Sequence, residues 1–199
     1  MTDDDAQKRQ SIGARRNPDT AEAIRAAALA ILQEEGYAGF SIEKVARRAR
    51  AGKPTIYRWW PSKAALLIEV YHAQKRDIDY SVTDDLEHDL VVFLKSLFSH
   101  WHDSPSGDVF RSIMAEAQTE PAAREAFLAY IDQRRQRIAE MVRLPRAKSR
   151  LAADVDPLMV ADLLVSFAWM RLLTNALGNA EADILAMVRS IIHGIEAQE

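Results

Sequence analysis

The chain contains no cysteine in its 199 residues. That absence excludes disulfides, Cys-ligated zinc, iron–sulfur clusters and thiol catalysis, and it suits a reducing cytoplasmic setting. Glycine and proline are scarce, with 7 of each, as expected of a mostly helical chain whose element interiors avoid both. No apolar run is long enough to cross a bilayer, and the polar start MTDDDAQKRQ lacks a secretion-signal core, so no membrane partner is expected. No GxSxG, HExxH, P-loop or dinucleotide glycine pattern occurs. The 5 histidines are His72, His88, His100, His102 and His193. His100 and His102 are two apart on a predicted helix, so they point to different sides and cannot chelate together. Neither an enzyme nor a resident metal or cofactor is expected. A net charge of -3 and 48% hydrophobic residues fit one or two globular domains with a sizeable core.

What is present concentrates in residues 40–63, FSIEKVARRARAGKPTIYRWWPSK. The spacing predicts two short helices around a tight turn. Ser41 is placed to cap the first, with Glu43 in its first turn, where the helix dipole favours an anion. Ile42, Val45, Ala46 and Ala49 share one face. The second helix opens at Pro54, whose missing N–H costs nothing at a helix start, and ends at Pro61. Lys44, Arg47, Arg48, Arg50, Lys53, Arg58 and Lys63 stand against a single acid, Glu43. A basic patch on a mildly acidic chain, set on a helix-turn-helix, is the footprint of a DNA-binding module. A helical module that binds protein or RNA is the alternative reading. It differs in not favouring a palindromic duplex over a random one.

The rest of the chain reads as helices. Met1–Arg16 is polar and without apolar period, a disordered tail that is either merely solvated or a basic arm for DNA. Asn17 and Pro18 start a first helix with the stripe Ile24, Ala27, Ala28, Ile31 and Leu32, which Gly36 ends. Tyr37 and Phe40 fold against Val45 and Ile56. Ser62 caps a fourth helix to about Tyr80, with the stripe Leu66, Leu67, Val70, Tyr71 and Ala73-Gln74. Further helices are expected over about 84–102, 109–118, 121–144, 157–177 and 181–197, with loops at DSPSGD (103–108) and 144–156. Arg134, Arg135 and Arg137 are assigned to the polar side of the 121–144 helix. Gly178-Asn179 is expected to stop the 157–177 helix. The architecture is all-α with about nine helices. A tail (1–16) and a helix-turn-helix DNA-binding domain (17–62) precede a helical regulatory and dimerisation domain (63–199). The 157–177 helix is apolar nearly all round, and such a helix must be covered on all sides. It is either the centre of a monomeric core or half of a two-fold interface. The second reading makes a homodimer through the last two helices, with Leu164, Arg171, Leu172, Val188, Ile191, Ile192 and Ile195 at the interface.

The run Gly36-Tyr37, Phe40-Ser41-Ile42, Val45-Ala46, Lys53-Pro54-Thr55-Ile56-Tyr57 and Pro61-Ser62-Lys63-Ala64-Ala65-Leu66 resembles the DNA-binding domain of tetracycline-repressor-type (TetR) regulators. The resemblance covers roughly Asn17 to Tyr80. It departs at Arg50, where the family often has Gly. Arg50 resists a left-handed turn, so either Gly52 carries that strain or the turn differs. By resemblance, Lys53, Pro54, Thr55, Tyr57 and Lys63 match positions that touch DNA. From chemistry, Lys53, Thr55 and Arg58 suit base edges, while Tyr57, Lys63, Ser41 and Lys44 suit phosphates. Trp60 reads as a core ring bracing the first and fourth helices, and Trp59 either packs in the core or meets the DNA backbone. The resemblance implies a repressor released from a double-stranded palindromic operator by a small-molecule effector. Phe93, Leu97, Trp101, Phe110, Met114, Met141, Phe167, Trp169 and Met170 either line its pocket or simply fill the core.

Overall fold

The computed structural model describes residues 17–74, 78–145, 152, 154–178 and 180–194. Among these there are nine helices and no strands: α1 (Pro18–Gly39), α2 (Ile42–Arg48), α3 (Lys53–Trp59), α4 (Lys63–Gln74), α5 (Leu86–His102), α6 (Ser106–Thr119), α7 (Pro121–Arg143), α8 (Pro157–Leu173) and α9 (Glu181–His193). The expectations for Met1–Arg16 and Ile195 lie outside the described residues, as do residues 146–151 of the 144–156 loop.

The head is built from caps and a few apolar side chains. The Asn17 carboxamide accepts from the Asp19 and Thr20 backbone N–H groups at the start of α1, and Ser41 Oγ accepts from Lys44 N at 3.2 Å at the start of α2. Gly36 has φ 66 and ψ -172, which breaks the helical path as expected of a glycine there, but helical turns resume to Gly39. Ile24, Ile31, Phe40, Val45 and Ile56 close the small core, each burial contributing roughly 1.5–3 kcal/mol. Trp60 is buried, and its Nε1 donates to Glu69 Oε2 at 2.6 Å. Glu69 also takes Arg25 of α1 at 2.8 Å. The Trp60 ring thus braces α1 against α4, as its apolar body and single N–H donor predict.

Further helix boundaries also differ from the sequence reading. α4 stops by Gln74; Ala73 is exposed, and Ile78–Tyr80 are not helical. α6 starts at Ser106, inside the stretch expected to be a loop. Gly107 allows this: a Cβ there would lie 2.5 Å from the Trp101 carbonyl oxygen, so only glycine lets α6 begin against the end of α5. α8 ends at Leu173, because Asn175 takes φ 56 ahead of Gly178. Asparagine is among the few non-glycine residues that tolerate that region. α9 ends at His193, before Gly194 at φ 76.

In the body, α7 packs on α8, α6 and α4, while α9 lies along α5. α4 touches both α1 and the α6–α7 pair, so it joins head to body. Leu164, Leu172 and Val188 are wholly enclosed in their own chain. That corrects their assignment to an interface, since a side chain already surrounded has no surface to offer. The exposed apolar side chains of α8 are Met159, Leu163, Met170 and Leu173, spaced to form one stripe on its outer side. Ile191 and Ile192 are half-buried, and Arg171 pairs with Asp183 of α9. No described helix is long and apolar enough to cross a membrane.

Candidate nucleic-acid interface and effector cavity

α3 buries Ile56 alone. Lys53, Pro54, Tyr57 and Arg58 are exposed and Thr55 is half-buried. The helix starts at Lys53, one residue before Pro54, with Gly52 as its cap at φ -71. The strain of the turn therefore falls on Arg50, which takes φ 52. A left-handed non-glycine residue costs about 1–2 kcal/mol, and here that cost leaves the Arg50 side chain exposed between α2 and α3.

The basic patch is partly matched by acids that follow in space rather than in sequence. Lys53 Nζ pairs with Glu43 at 2.6 Å, Arg48 with Glu34 at 2.5 Å, and Lys44 with Glu35 and the Gly39 carbonyl. The side-chain hydrogen bond from Lys53 holds the Glu43 carboxyl below its ordinary range, and Arg48 does the same for Glu34. These pairs face solvent, where ion pairs are weak and exchange readily with other anions. Among the described residues Arg47 and Arg50 are exposed with no ion pair. They complete the basic face, and their place in the charge run is the signal for them. Trp59 is half-buried, edge-on to Trp60 at 5.9 Å, with the Arg58 guanidinium 5.8 Å from its ring centre.

Lys63 points inward at the base of the head. Its Nζ lies 3.7 Å from the centre of the Tyr37 ring, and burial lowers its pKa. The Tyr37 hydroxyl donates to Glu116 of α6; burial, and then that carboxylate, push the phenol up. Tyr37, Lys63 and Glu116 therefore tie the head to the body through a cation–π contact and a charge-assisted hydrogen bond.

A cavity lies between α5, α6, α7 and α8. Phe93, Leu97, Trp101, Phe110 and Trp169 line it, as the sequence suggests, joined by Tyr80, Tyr130, Ile131, Arg134, Ile138, Val165 and Ala168. Its free volume is ≈ 30 Å³, room for about two water molecules rather than a drug-sized ligand. Four expected lining residues lie elsewhere. Met170 is exposed on the outer stripe of α8, Met141 is buried in the core, Met114 is half-buried on α6, and Phe167 stacks on Phe98 at 6.0 Å. Arg134 was expected on the polar side of its helix but is buried, whereas Arg135 is half-buried and Arg137 exposed. The register explains it. Arg134 falls between Ile131 and Ile138 on the stripe that faces inward. α4 reaches the cavity wall through Tyr71, which stacks on Phe110 at 5.1 Å and accepts from Trp101 Nε1 at 2.6 Å. No group of three or more metal-ligating side chains forms among the described residues.

Comparison with known proteins agrees with this geometry. Residues 24–70 match the family described as bacterial regulatory proteins, tetR family, and residues 81–191 match the tetracyclin repressor-like C-terminal domain. The chain is 26% identical to an uncharacterised HTH-type transcriptional regulator, YdeS, of Bacillus subtilis, over 93% of this chain and 94% of that one. The crystal structure of the TetR family transcription regulator SCO0332 superposes with a TM-score of 0.78 at 30% identity, covering 91% of this chain and all of that one (100%). Thermus thermophilus FadR, a TetR family repressor solved with lauroyl-CoA, gives 0.68 at 19% identity, covering 90% and 96%. With a matching head, a matching body and a helix-turn-helix whose second helix faces outward, the chain belongs to the TetR family of DNA-binding transcriptional regulators.

Proposed function

We propose that this protein is a cytoplasmic homodimeric repressor that reads a palindromic operator with α3 and leaves it when a small molecule enters the α5–α8 cavity. The observation that carries the reading is that α3 buries only Ile56 and leaves Lys53, Pro54, Tyr57 and Arg58 exposed. Lys53 and Arg58 donate to guanine edges, and Thr55 offers a hydroxyl and a methyl suited to thymine. Tyr57, Ser41 and Lys44 lie where phosphates pass, with Pro54 shaping the helix start. Lys63 belongs to this set only in a state where it leaves the Tyr37 ring. The outer stripe of α8 (Met159, Leu163, Met170, Leu173), with Ile191 and Ile192 half-buried on α9, supports pairing of two copies. A dimer places two heads on two half-sites one helical turn apart or a multiple of it. Tyr71 connects the cavity wall to α4 and thus to the head, so a ligand that favours one cavity shape biases the spacing of the heads.

The test is titration of duplex DNA from around the protein's own gene against random duplex over a range of salt. Saturable binding to one palindromic segment is expected. Lys53→Ala should weaken it about tenfold or more while barely changing binding to random duplex. Equal binding of both duplexes by the wild type, lost steeply with salt, would leave phosphate attraction alone and sink the reading.

A further inference from the structure

Arg134 is the most enclosed arginine described, 8% exposed, and among the described residues it has no counter-ion. Its Nε has no hydrogen-bond partner, and no carboxylate of a described residue pairs with its guanidinium. The half-buried arginines all have an acid: Arg25 has Glu22 and Glu69, Arg111 has Asp108, Arg135 has Asp162, Arg171 has Asp183. The companion of Arg134 is Tyr130, whose ring centre lies 5.3 Å from the guanidinium carbon. Burial raises the Tyr130 pKa, so its hydroxyl stays protonated and supplies no charge. An enclosed cation without an anion is costly, because desolvation is not offset by a partner. The cavity surrounding it is otherwise almost wholly apolar and aromatic.

We propose that Arg134 is the anion-binding residue of this cavity and that its ligand is a compact organic acid. The carboxylate accepts two parallel N–H bonds from the guanidinium, and a flat apolar body lies against Phe93, Trp101, Phe110 and Trp169. The planar fork of arginine matches a carboxylate in this two-bond geometry. Flatness follows from the walls: Trp101 and Phe110 stack 5.6 Å apart at 21°, and Trp169 packs beside Phe110 at 6.3 Å. Compactness follows from the small free volume, since each added atom requires the walls to give further. This inference rests on the cavity being the effector site.

The experiment uses the full chain without DNA, titrated with benzoate, phenylacetate and 1-naphthoate, each against its neutral amide. Binding is followed by calorimetry and by intrinsic tryptophan fluorescence, to which Trp101 and Trp169 of the cavity wall contribute. At least one acid should bind, raise Tm and exceed its amide by tenfold or more. Arg134→Met, of similar length but uncharged, should cut that preference below threefold. It should also leave the ligand-free Tm no lower than wild type, because it removes an unmatched charge. The proposal is overturned if no acid binds, if acid and amide bind the wild type alike, if Arg134→Met keeps the preference, or if that variant fails to fold or loses several degrees without ligand. The last outcome would make Arg134 structural. Release of a labelled operator is measured separately. An acid that binds through Arg134 without releasing DNA would sink the effector reading and leave the anion site standing. Release by amide and acid alike would do the reverse.

Discussion

The head and the body treat positive charge in opposite ways. In the head, Lys44, Arg48 and Lys53 are matched by Glu35, Glu34 and Glu43 on partly or fully exposed surface, and Arg47 and Arg50 stand beside them. Such pairs are loose and screened, so a polyanion can displace them without leaving any group buried and unpaired. In the body, Arg134 is enclosed by rings and no acid among the described residues answers it. One arrangement suits a long ligand that comes and goes as a whole. The other suits a single small anion whose arrival changes the packing of a core. The same residue types stand in two settings that differ in access to water.

Removing the acid from a matched arginine sharpens this contrast and should have the largest effect. Glu69 receives both Arg25 and Trp60 Nε1. Glu69→Leu would leave both donors without that acceptor and lower the stability of the protein by about 1–3 kcal/mol, read from urea unfolding. An unchanged urea midpoint would mean that these donors are satisfied elsewhere. A second substitution breaks the matching on the DNA face. Glu34→Gln with Glu35→Gln frees Arg48 and Lys44, so affinity for random duplex should rise severalfold. Its salt slope should steepen by about 0.9 for each new phosphate contact. No change in slope would place those cations away from the DNA. The smallest effect concerns pH. Arg189, and then His193, hold the Glu87 carboxyl below its ordinary value of 4.5. A depressed carboxyl stabilises the fold above that value and loses its contribution as pH falls through the folded pKa. Glu87→Gln should therefore lower Tm at pH 7 by only about 1 °C, because Arg189 is exposed and Glu87 only half-buried. The difference should vanish in acid. A difference that persisted in acid would point to packing rather than charge.

The sequence shows the head far better than the cavity, for physical reasons. Caps, turns and the α2–α3 spacing are local, so Asn17, Ser41, Pro54, Ile56 and Trp60 could be placed from their neighbours alone. Cavity residues come from four helices, and their meeting depends on register. Phe93, Leu97, Trp101, Phe110 and Trp169 were legible as large apolar residues on inward stripes. Met170 and Phe167 satisfied the same criterion and lie elsewhere, because α8 is apolar on its outer side as well. Arg134 reads as polar beside two nearby arginines, although its spacing from Ile131 and Ile138 places it on the buried stripe. The matching of head cations by Glu34 and Glu35 was hidden because those acids lie on α1, before the motif.

The glycine at the start of α6 sits where that helix would pivot if it moved as a lever. Gly107 presses its helix against the end of α5, beside Trp101 in the cavity wall. Glu116, nine residues on, holds Tyr37 of the head. At about 1.5 Å of rise per residue, the arm between them is about 14 Å long. A tilt of about 5° at the fulcrum would carry the far end through about 1.2 Å, more than a hydrogen bond can stretch and still hold. A ligand that moved Trp101 by a fraction of an ångström would therefore be magnified at the head, with a gain set by the length of one helix.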